Sequence, residues 1–244
     1  MIEAERVSID RKTFRINGLS FSIVENAVNG IGGLNGSGKT TILKAMYGFL
    51  KPSEGAIYID GKDVSTMSPK QIAALVSVVH QEQPVPMNFT VRDIVSLSGY
   101  SRRSPGPSVD ECLEVCGIAH LSQREFSTLS GGEKRIVMFA AAMYQNTKYI
   151  LLDEPMTFLD IDKAVKVMSI IRRFREEGKT IVIVSHDINF LYNECDNVIL
   201  MRSGEILYQG DPKKIINEST LYDVFSVKFG RYESAEGVRF YPSA

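Results

Sequence analysis

The chain of 244 residues has no tryptophan, three histidines and three cysteines. Cys112, Cys116 and Cys195 are odd in number and lack zinc or secretory spacing, which argues against a disulfide scaffold and for a reducing, cytosolic setting. Cys112 and Cys116 stand four apart on one face of an expected helix and read as small buried residues ahead of a metal or redox pair. No apolar run approaches the roughly 20 residues that span a bilayer, and the opening Met-Ile-Glu-Ala-Glu-Arg lacks a signal-peptide core. With 28 Lys and Arg against 29 Asp and Glu, the net charge is −1, so there is no basic stripe for nucleic acid and no general attraction to anionic lipid. Internal repeats, low-complexity tracts and coiled-coil heptads are also missing. What remains is an ordinary globular composition, 44% hydrophobic and 23% charged, long enough to bury a proper core.

The first 30 residues alternate apolar and polar (Val7, Ile9, then Leu19, Phe21, Ile23), which predicts strands, with Asn17-Gly18 near a turn. Strand, glycine-rich loop and helix are expected over residues 28–49. A short strand follows at 56–60, and Ser68-Pro69-Lys70-Gln71 carries the signals of a helix start. The β-branched run at 75–79 predicts a buried strand ending at His80-Gln81. The character then changes. Thr90-Val91-Arg92-Asp93 and Ser108-Val109-Asp110-Glu111 both look like helix starts, and residues 101–107 form a Pro/Gly/Arg/Ser loop. Strand–helix alternation resumes at 149–152, 164–176, 180–184 and 197–201, and residues 221–244 read as a weakly alternating tail. The expectation is one α/β domain over 1–244. Its core, residues 1–81 and 146–244, is a mostly parallel sheet with an antiparallel β subdomain, and residues 82–145 form an inserted helical subdomain.

Gly33, four residues, then Gly38-Lys39-Thr40 satisfies the Walker A spacing, between an expected strand and an expected helix. Glycines at 33, 36 and 38, with Leu34, Asn35 and Ser37 between them, let backbone N–H groups converge on an anion. The helix N-terminus adds partial positive charge. Lys39 brings a full charge to the β- and γ-phosphates, and the hydroxyls of Thr40 and Thr41 open the helix, with Thr40 suited to Mg²⁺, a hard cation that prefers oxygen. The segment Tyr149-Ile150-Leu151-Leu152-Asp153-Glu154 is the matching Walker B strand. It delivers Asp153 to Mg²⁺, through water, and Glu154 to polarise the attacking water.

Leu129-Ser130-Gly131-Gly132-Glu133 completes a set that resembles the nucleotide-binding subunits of ABC transporters, with motifs in the family's order over nearly the whole chain. The resemblance implies a P-loop NTPase of ABC ATPase type with a RecA-like core, ATP and Mg²⁺ as its ligands, and ATP hydrolysis as its activity. It also implies that Ser130, Gly131 and Gly132 contact the γ-phosphate held by a second copy of the chain. Gln81 resembles the Q-loop glutamine that touches Mg²⁺ and the water, Asp160 the D-loop aspartate at the dimer interface, and His186 the switch histidine on the γ-phosphate. The partners so implied are a second copy in an ATP-dependent homodimer, an integral membrane permease docked near residues 81–88, and, indirectly, a substrate-binding protein. The expected location is the cytoplasmic face of the membrane, and nucleic acid is not an expected partner.

The chain departs from the family pattern in places. Glu133 stands where glutamine is common, Leu34 where proline is frequent, and Ala141 where arginine is usual. Asn29, Gly30 and Gly32 make the strand before the phosphate loop more polar than usual, and the adenine-stacking position falls to either Arg11 or Phe14. The tail Leu221-Tyr222-Asp223-Val224-Phe225-Ser226-Val227 resembles the ending of importers for iron-siderophore, haem or vitamin B12. Zinc and manganese importers share much of this plan. A soluble ABC-type ATPase, such as a cofactor-assembly subunit, is the alternative. A DNA-associated ATPase is disfavoured, because no coiled coil or Cys/His cluster separates Walker A from the signature.

Overall fold

A computed structural model describes residues 1–11, 14–80, 88–234 and 237–243. In chain order the elements are β1 (Ile2–Arg11), β2 (Phe14–Ser22), β3 (Val28–Gly33), α1 (Lys39–Met46), β4 (Glu54–Ile59), β5 (Lys62–Asp63), α2 (Pro69–Ala73), β6 (Val76–Val79), α3 (Val91–Ser98), α4 (Val109–Val115) and α5 (Gly131–Gln145). They continue with β7 (Tyr149–Asp153), α6 (Ile161–Glu176), β8 (Thr180–Val184), α7 (Ile188–Glu194), β9 (Asn197–Arg202), β10 (Glu205–Gly210), α8 (Pro212–Ile215), α9 (Glu218–Phe225), β11 (Phe229–Ser234) and β12 (Gly237–Pro242). The chain divides into two compact units, residues 1–67 with 182–244 and residues 68–181, so β8 begins in the second and ends in the first.

The first unit holds an antiparallel sheet of order β2-β1-β4-β5 and a second sheet in which β9 lies between β10 and β3, with β3 parallel to β9. At Asn17-Gly18, where a turn is expected from sequence, the structure has a bulge within β2. The register moves from Val7↔Leu19 to Ile9↔Ile16, Gly18 takes φ +58°, and its N–H donates to Ser8 Oγ at 3.1 Å. An extra residue on one strand bends the pair without reversing it.

Every residue of β3 is buried despite its polar sequence. Asn29 is fully enclosed. Its Oδ1 accepts from Val24 N at 2.9 Å and from Asn197 Nδ2 at 3.1 Å, and its Nδ2 donates to Val24 O at 2.9 Å. An amide satisfied in this way is a stitch and costs little to bury. Gly30 and Gly32 leave a trough that Leu191 of α7 fills: a Cβ on either glycine would lie 2.4 or 2.5 Å from a Leu191 methyl.

The second unit gathers β6 and β7, which are parallel with Val76 opposite Tyr149, together with α2 to α6. Its boundaries fall at 67/68 and 181/182, and side chains at and just beyond the C-terminal end of α5 reach α2 and β6. Gln145 Nε2 donates to Ala73 O at 2.7 Å and Val76 O at 3.2 Å, and Thr147 Oγ1 donates to the buried Ser77 Oγ at 3.0 Å.

Four helices of this unit open on reciprocal capping boxes: Ser68 with Gln71, Thr90 with Asp93, Ser108 with Glu111, and Ser130 with Glu133. In each, the N-cap oxygen accepts the N3 amide and the N3 side chain accepts the N-cap amide, satisfying donors that a helix leaves unpaired. Hydrogen bonds from Thr90, Ser108 and Ser130 hold the carboxyls of Asp93, Glu111 and Glu133 below the ordinary carboxylate range.

Folded-state pKa values below the unfolded ones supply stability that is present above the unfolded pKa and lost as pH falls through the folded pKa. The midpoint of thermal unfolding, followed by circular dichroism, is therefore expected to drop as pH falls below about 4. The triple variant Asp93→Asn, Glu111→Gln, Glu133→Gln should lose less of its midpoint over the same window. An identical acid slope in the variant would remove these caps as a source of the pH dependence.

Candidate functional site

The phosphate loop leaves β3 through Gly33, whose φ of +145° and closeness to Met201 O (2.1 Å from a built Cβ) admit no side chain. The next residues, Leu34, Asn35 and Gly36, are exposed, and the chain then turns back. Ser37 N donates to Leu34 O at 3.1 Å, and Ser37 O accepts from Gly204 N at 3.0 Å. Gly38 caps α1 at φ +106°, so Lys39, Thr40 and Thr41 form the first turn with their N-terminal amides facing the loop. Lys39 is buried, and its ammonium donates to Gly33 O at 2.8 Å and Leu34 O at 2.9 Å, drawn across the base of the loop.

Ser37 Oγ is buried without a hydrogen-bond partner. A loop with exposed glycine apex, a helix N-terminus, a cation held at its base and an unsatisfied buried hydroxyl fits a polyphosphate. Thr40, half-buried in the first turn, is an oxygen donor of the kind Mg²⁺ takes.

Of the two candidates for adenine, Phe14 is half-buried with its ring under the loop: a Cβ on Gly38 would lie 2.9 Å from Cζ, and one on Gly204 3.4 Å from it. Arg11, at the end of β1 and opposite Phe14, is exposed. His186 is exposed between β8 and α7. The next residue is fixed twice, since Asp187 N donates to Ser185 Oγ at 3.0 Å and Asp187 Oδ1 accepts from Phe190 N at 3.0 Å.

In the second unit, the fully buried β7 ends in Asp153, which is 5% exposed. Glu154 follows at φ +50°, a left-handed conformation uncommon outside glycine, and Oε2 accepts from Thr157 Oγ1 at 3.0 Å. Asp160 stands at the N-cap position of α6 without a side-chain capping bond, and its exposed carboxylate pairs with Lys163 Nζ at 3.3 Å. The Lys163 stem lies on the signature: a Cβ on Gly132 would come 2.1 Å from Lys163 Cδ. Ser130 and Gly131 are exposed, with open space where a Gly131 Cβ would stand. The capping bond uses a lone pair of Ser130 Oγ and not its proton, so the hydroxyl keeps its donor for an anion.

Glu133 is the reciprocal half of this cap: its carboxylate accepts from Ser130 N at 2.8 Å. An acidic residue here both caps the helix and complements its dipole. Gln81 and residues 82–87 of the expected permease-docking segment lie outside the described residues.

Sequence reasoning missed Arg135. It lies one turn into α5, is 8% exposed, and Nη1 donates to His80 O at 2.8 Å. Burial pulls its pKa below the ordinary arginine range, and the Asp153 charge works against that fall. The available signal was periodicity: Arg135 shares a helix face with Phe139, which is fully buried. Among the described residues no cluster of His, Cys, Asp and Glu forms a metal site, and no helix is long and apolar enough to cross a membrane.

Strand, glycine loop and helix, with an acidic pair at the end of a buried strand, define a P-loop nucleotide-binding ATPase. The sequence profile of the ABC transporter family matches residues 16–157. The hemin import ATP-binding protein HmuV of Rhizobium meliloti (strain 1021) is 34% identical over 241 residues, covering 93% of this chain and 92% of that one. The iron(3+)-hydroxamate import ATP-binding protein FhuC of Bacillus subtilis (strain 168) is 32% identical over 221 residues, 87% and 82% of the two chains. A bacterial ABC transporter cassette solved as a dimer superposes with a TM-score of 0.77 at 26% identity, over 87% of this chain and 99% of the other. The chain belongs to the ATP-binding family of ABC transporters, and it is an ATPase.

Replacing Lys39 with alanine removes the cation that Gly33 O and Leu34 O hold at the loop base. ATP affinity, measured by titration with a fluorescent nucleotide, is expected to fall by roughly tenfold or more, in keeping with a lost charge-assisted contact of about 1.5–3 kcal/mol. Unchanged affinity would contradict the phosphate role of Lys39.

Proposed function

We propose that the chain is the ATP-hydrolysing subunit of an importer, working as a head-to-tail homodimer around two MgATP on a membrane permease, at the cytoplasmic face. The observation that carries the dimer is the capped and exposed N-terminus of α5. Ser130 has a donor to give and Gly131 faces open space, so an anion brought by another molecule has direct access to the helix end. The relatives HmuV and FhuC, named for import of hemin and of iron(3+)-hydroxamate, support a cargo of the iron-siderophore, haem or cobalamin type, delivered by a substrate-binding protein.

The chain's residues divide the work. Gly33 to Thr41 wrap the phosphates, with Lys39 released from its loop carbonyls to the β- and γ-oxygens. Arg11, exposed where Phe14 is tucked beneath the loop, stacks on adenine. Thr40, Gln81 and Asp153 would hold Mg²⁺, Asp153 through water, and the ion would supply charge neutralisation on the triphosphate. Glu154 takes the proton of the attacking water as the new P–O bond forms and the bond to ADP breaks. His186 and the partner copy's signature hold the γ-phosphate, and Asp160 lies at the copy-to-copy interface. Contacts that need the γ-phosphate close the dimer, and hydrolysis removes them.

Glu154→Gln is expected to keep ATP binding, trap an ATP-dependent dimer visible by size-exclusion chromatography with light scattering, and lose turnover by about 10²-fold or more. Hydrolysis at the wild-type rate would remove Glu154 as the general base. Wild-type activity should rise more than linearly with protein concentration. A strictly linear rise from a monomer would count against the shared site.

A further inference from the structure

The C-terminal hairpin of β11 and β12 has no place in the activity described so far. A lone two-stranded hairpin has little stability of its own in water, so this one is held by what it touches. Its inward residues, Val238 and Phe240, are buried and alternate along β12 with the exposed Arg239 and Tyr241, the pattern of a strand with one covered face.

What it covers is α7. Asn189 bonds Phe240 in both directions: Phe240 N donates to Oδ1 at 2.7 Å, and Nδ2 donates to Phe240 O at 3.0 Å. Asn193, one turn on and on the same helix face, donates from Nδ2 to Val238 O at 3.0 Å and to Asn189 O at 2.8 Å. Tyr192 meets Phe240 edge to face at 5.2 Å, and Lys213 of α8 sits over the other partner, its Nζ 3.7 Å from the Tyr192 ring centroid. Two asparagine side chains thus act as a mock strand beside β12 and supply the ladder hydrogen bonds that another chain segment would give.

The opposite face of α7 is keyed to the phosphate-loop strand. Leu191 is fully buried in the trough of Gly30 and Gly32, beside Cys195. The helix begins two residues after His186, and the capping bonds of Ser185 and Asp187 leave little slack between them. Moving α7 therefore requires His186 to move.

We propose that the hairpin is a latch on α7, and that Asn189 and Asn193 are positioning residues which set where His186 stands. The role depends on His186 as the γ-phosphate contact of the proposed ATPase. It also gives the glycines of β3 a purpose: they let Leu191 seat deeply, so that histidine, loop strand and hairpin share one rigid element.

The test uses the full chain with Asn189→Ala and Asn193→Ala together. Expected are a fall in kcat of about tenfold, the loss that a slightly misplaced catalytic contact brings, with KM for MgATP within about twofold. One nucleotide should still bind per chain by fluorescence titration, so the loss is not a loss of folded molecules. Hydrogen exchange should quicken in both β12 and α7. Faster exchange in β12 with kcat unchanged, or with α7 still protected, would overturn the latch. If the pair does not fold, Asn193→Ala alone, which removes the bonds to Val238 O and Asn189 O but keeps those of Asn189 to Phe240, is read in the same way. A wild-type chain without ATPase activity would overturn the proposed function itself, while the joint exchange of β12 and α7 would still decide the mechanical link.

Discussion

The geometry of the phosphate loop depends on one place where backbone meets backbone more closely than any side chain permits. At Gly33 the chain turns out of β3 against the carbonyl of Met201, in a conformation open to glycine. That turn sets the loop apex in solvent, brings Ser37 back beneath it, and starts α1 so that its amides face what the loop encloses. Lys39 then lies across carbonyls that a bound phosphate would not need, a resting position from which the cation is spared burial without partners. The strand behind the turn is polar because it too is shaped by close approach: Asn29 is locked by its own hydrogen bonds, and Gly30 and Gly32 give their space to Leu191.

The proposed anion-binding end of the second unit arises by another route. Its helices start on side chains that satisfy their own amides, and the signature helix is one of these. Glutamate in place of the family's usual glutamine at 133 keeps the reciprocal cap and adds a charge that favours the helix N-terminus. The same charge lies close to the end that is proposed to meet a γ-phosphate, so helix stability and anion attraction pull in opposite directions there. Capping contributes on the order of 1 kcal/mol. A charge-assisted phosphate contact is worth about 1.5–3 kcal/mol, and it is shared with the Ser130 hydroxyl and backbone amides. The phosphate contact is the larger of the two contributions, which is the ground for expecting the signature to work with the acid in place.

What could be read from the sequence was what is local. The Walker loop, the acidic pair after an apolar strand, and the caps at Ser68, Thr90, Ser108 and Ser130 depend on residues within a few positions of one another, and the structure has a loop, a strand end and capping boxes there. What escaped depends on partners far along the chain. Asn17-Gly18 has the composition of a turn, but Ser8 and the β1 register make it a bulge. The weakly alternating tail of residues 221–244 ends α9 and then forms the β11–β12 hairpin, whose second strand takes further hydrogen bonds from Asn189 and Asn193, some fifty residues earlier. Gln145 and Thr147, at and just beyond the end of α5, bond to Val76 and Ser77 of β6, partners some seventy residues away.

Arg135 shows why the chemistry of such a protein extends beyond its motifs. A guanidinium at 8% exposure loses most of its water, and only well-placed partners make that tolerable. Its partners are the carbonyl of His80, the last described residue before Gln81, and the charge of Asp153. One buried cation thus belongs at once to the signature helix, to the end of β6 and to the electrostatics of the Walker B carboxylate. A change in the position of Arg135 would therefore alter the local charge felt at Asp153 as well as the contact with His80 O.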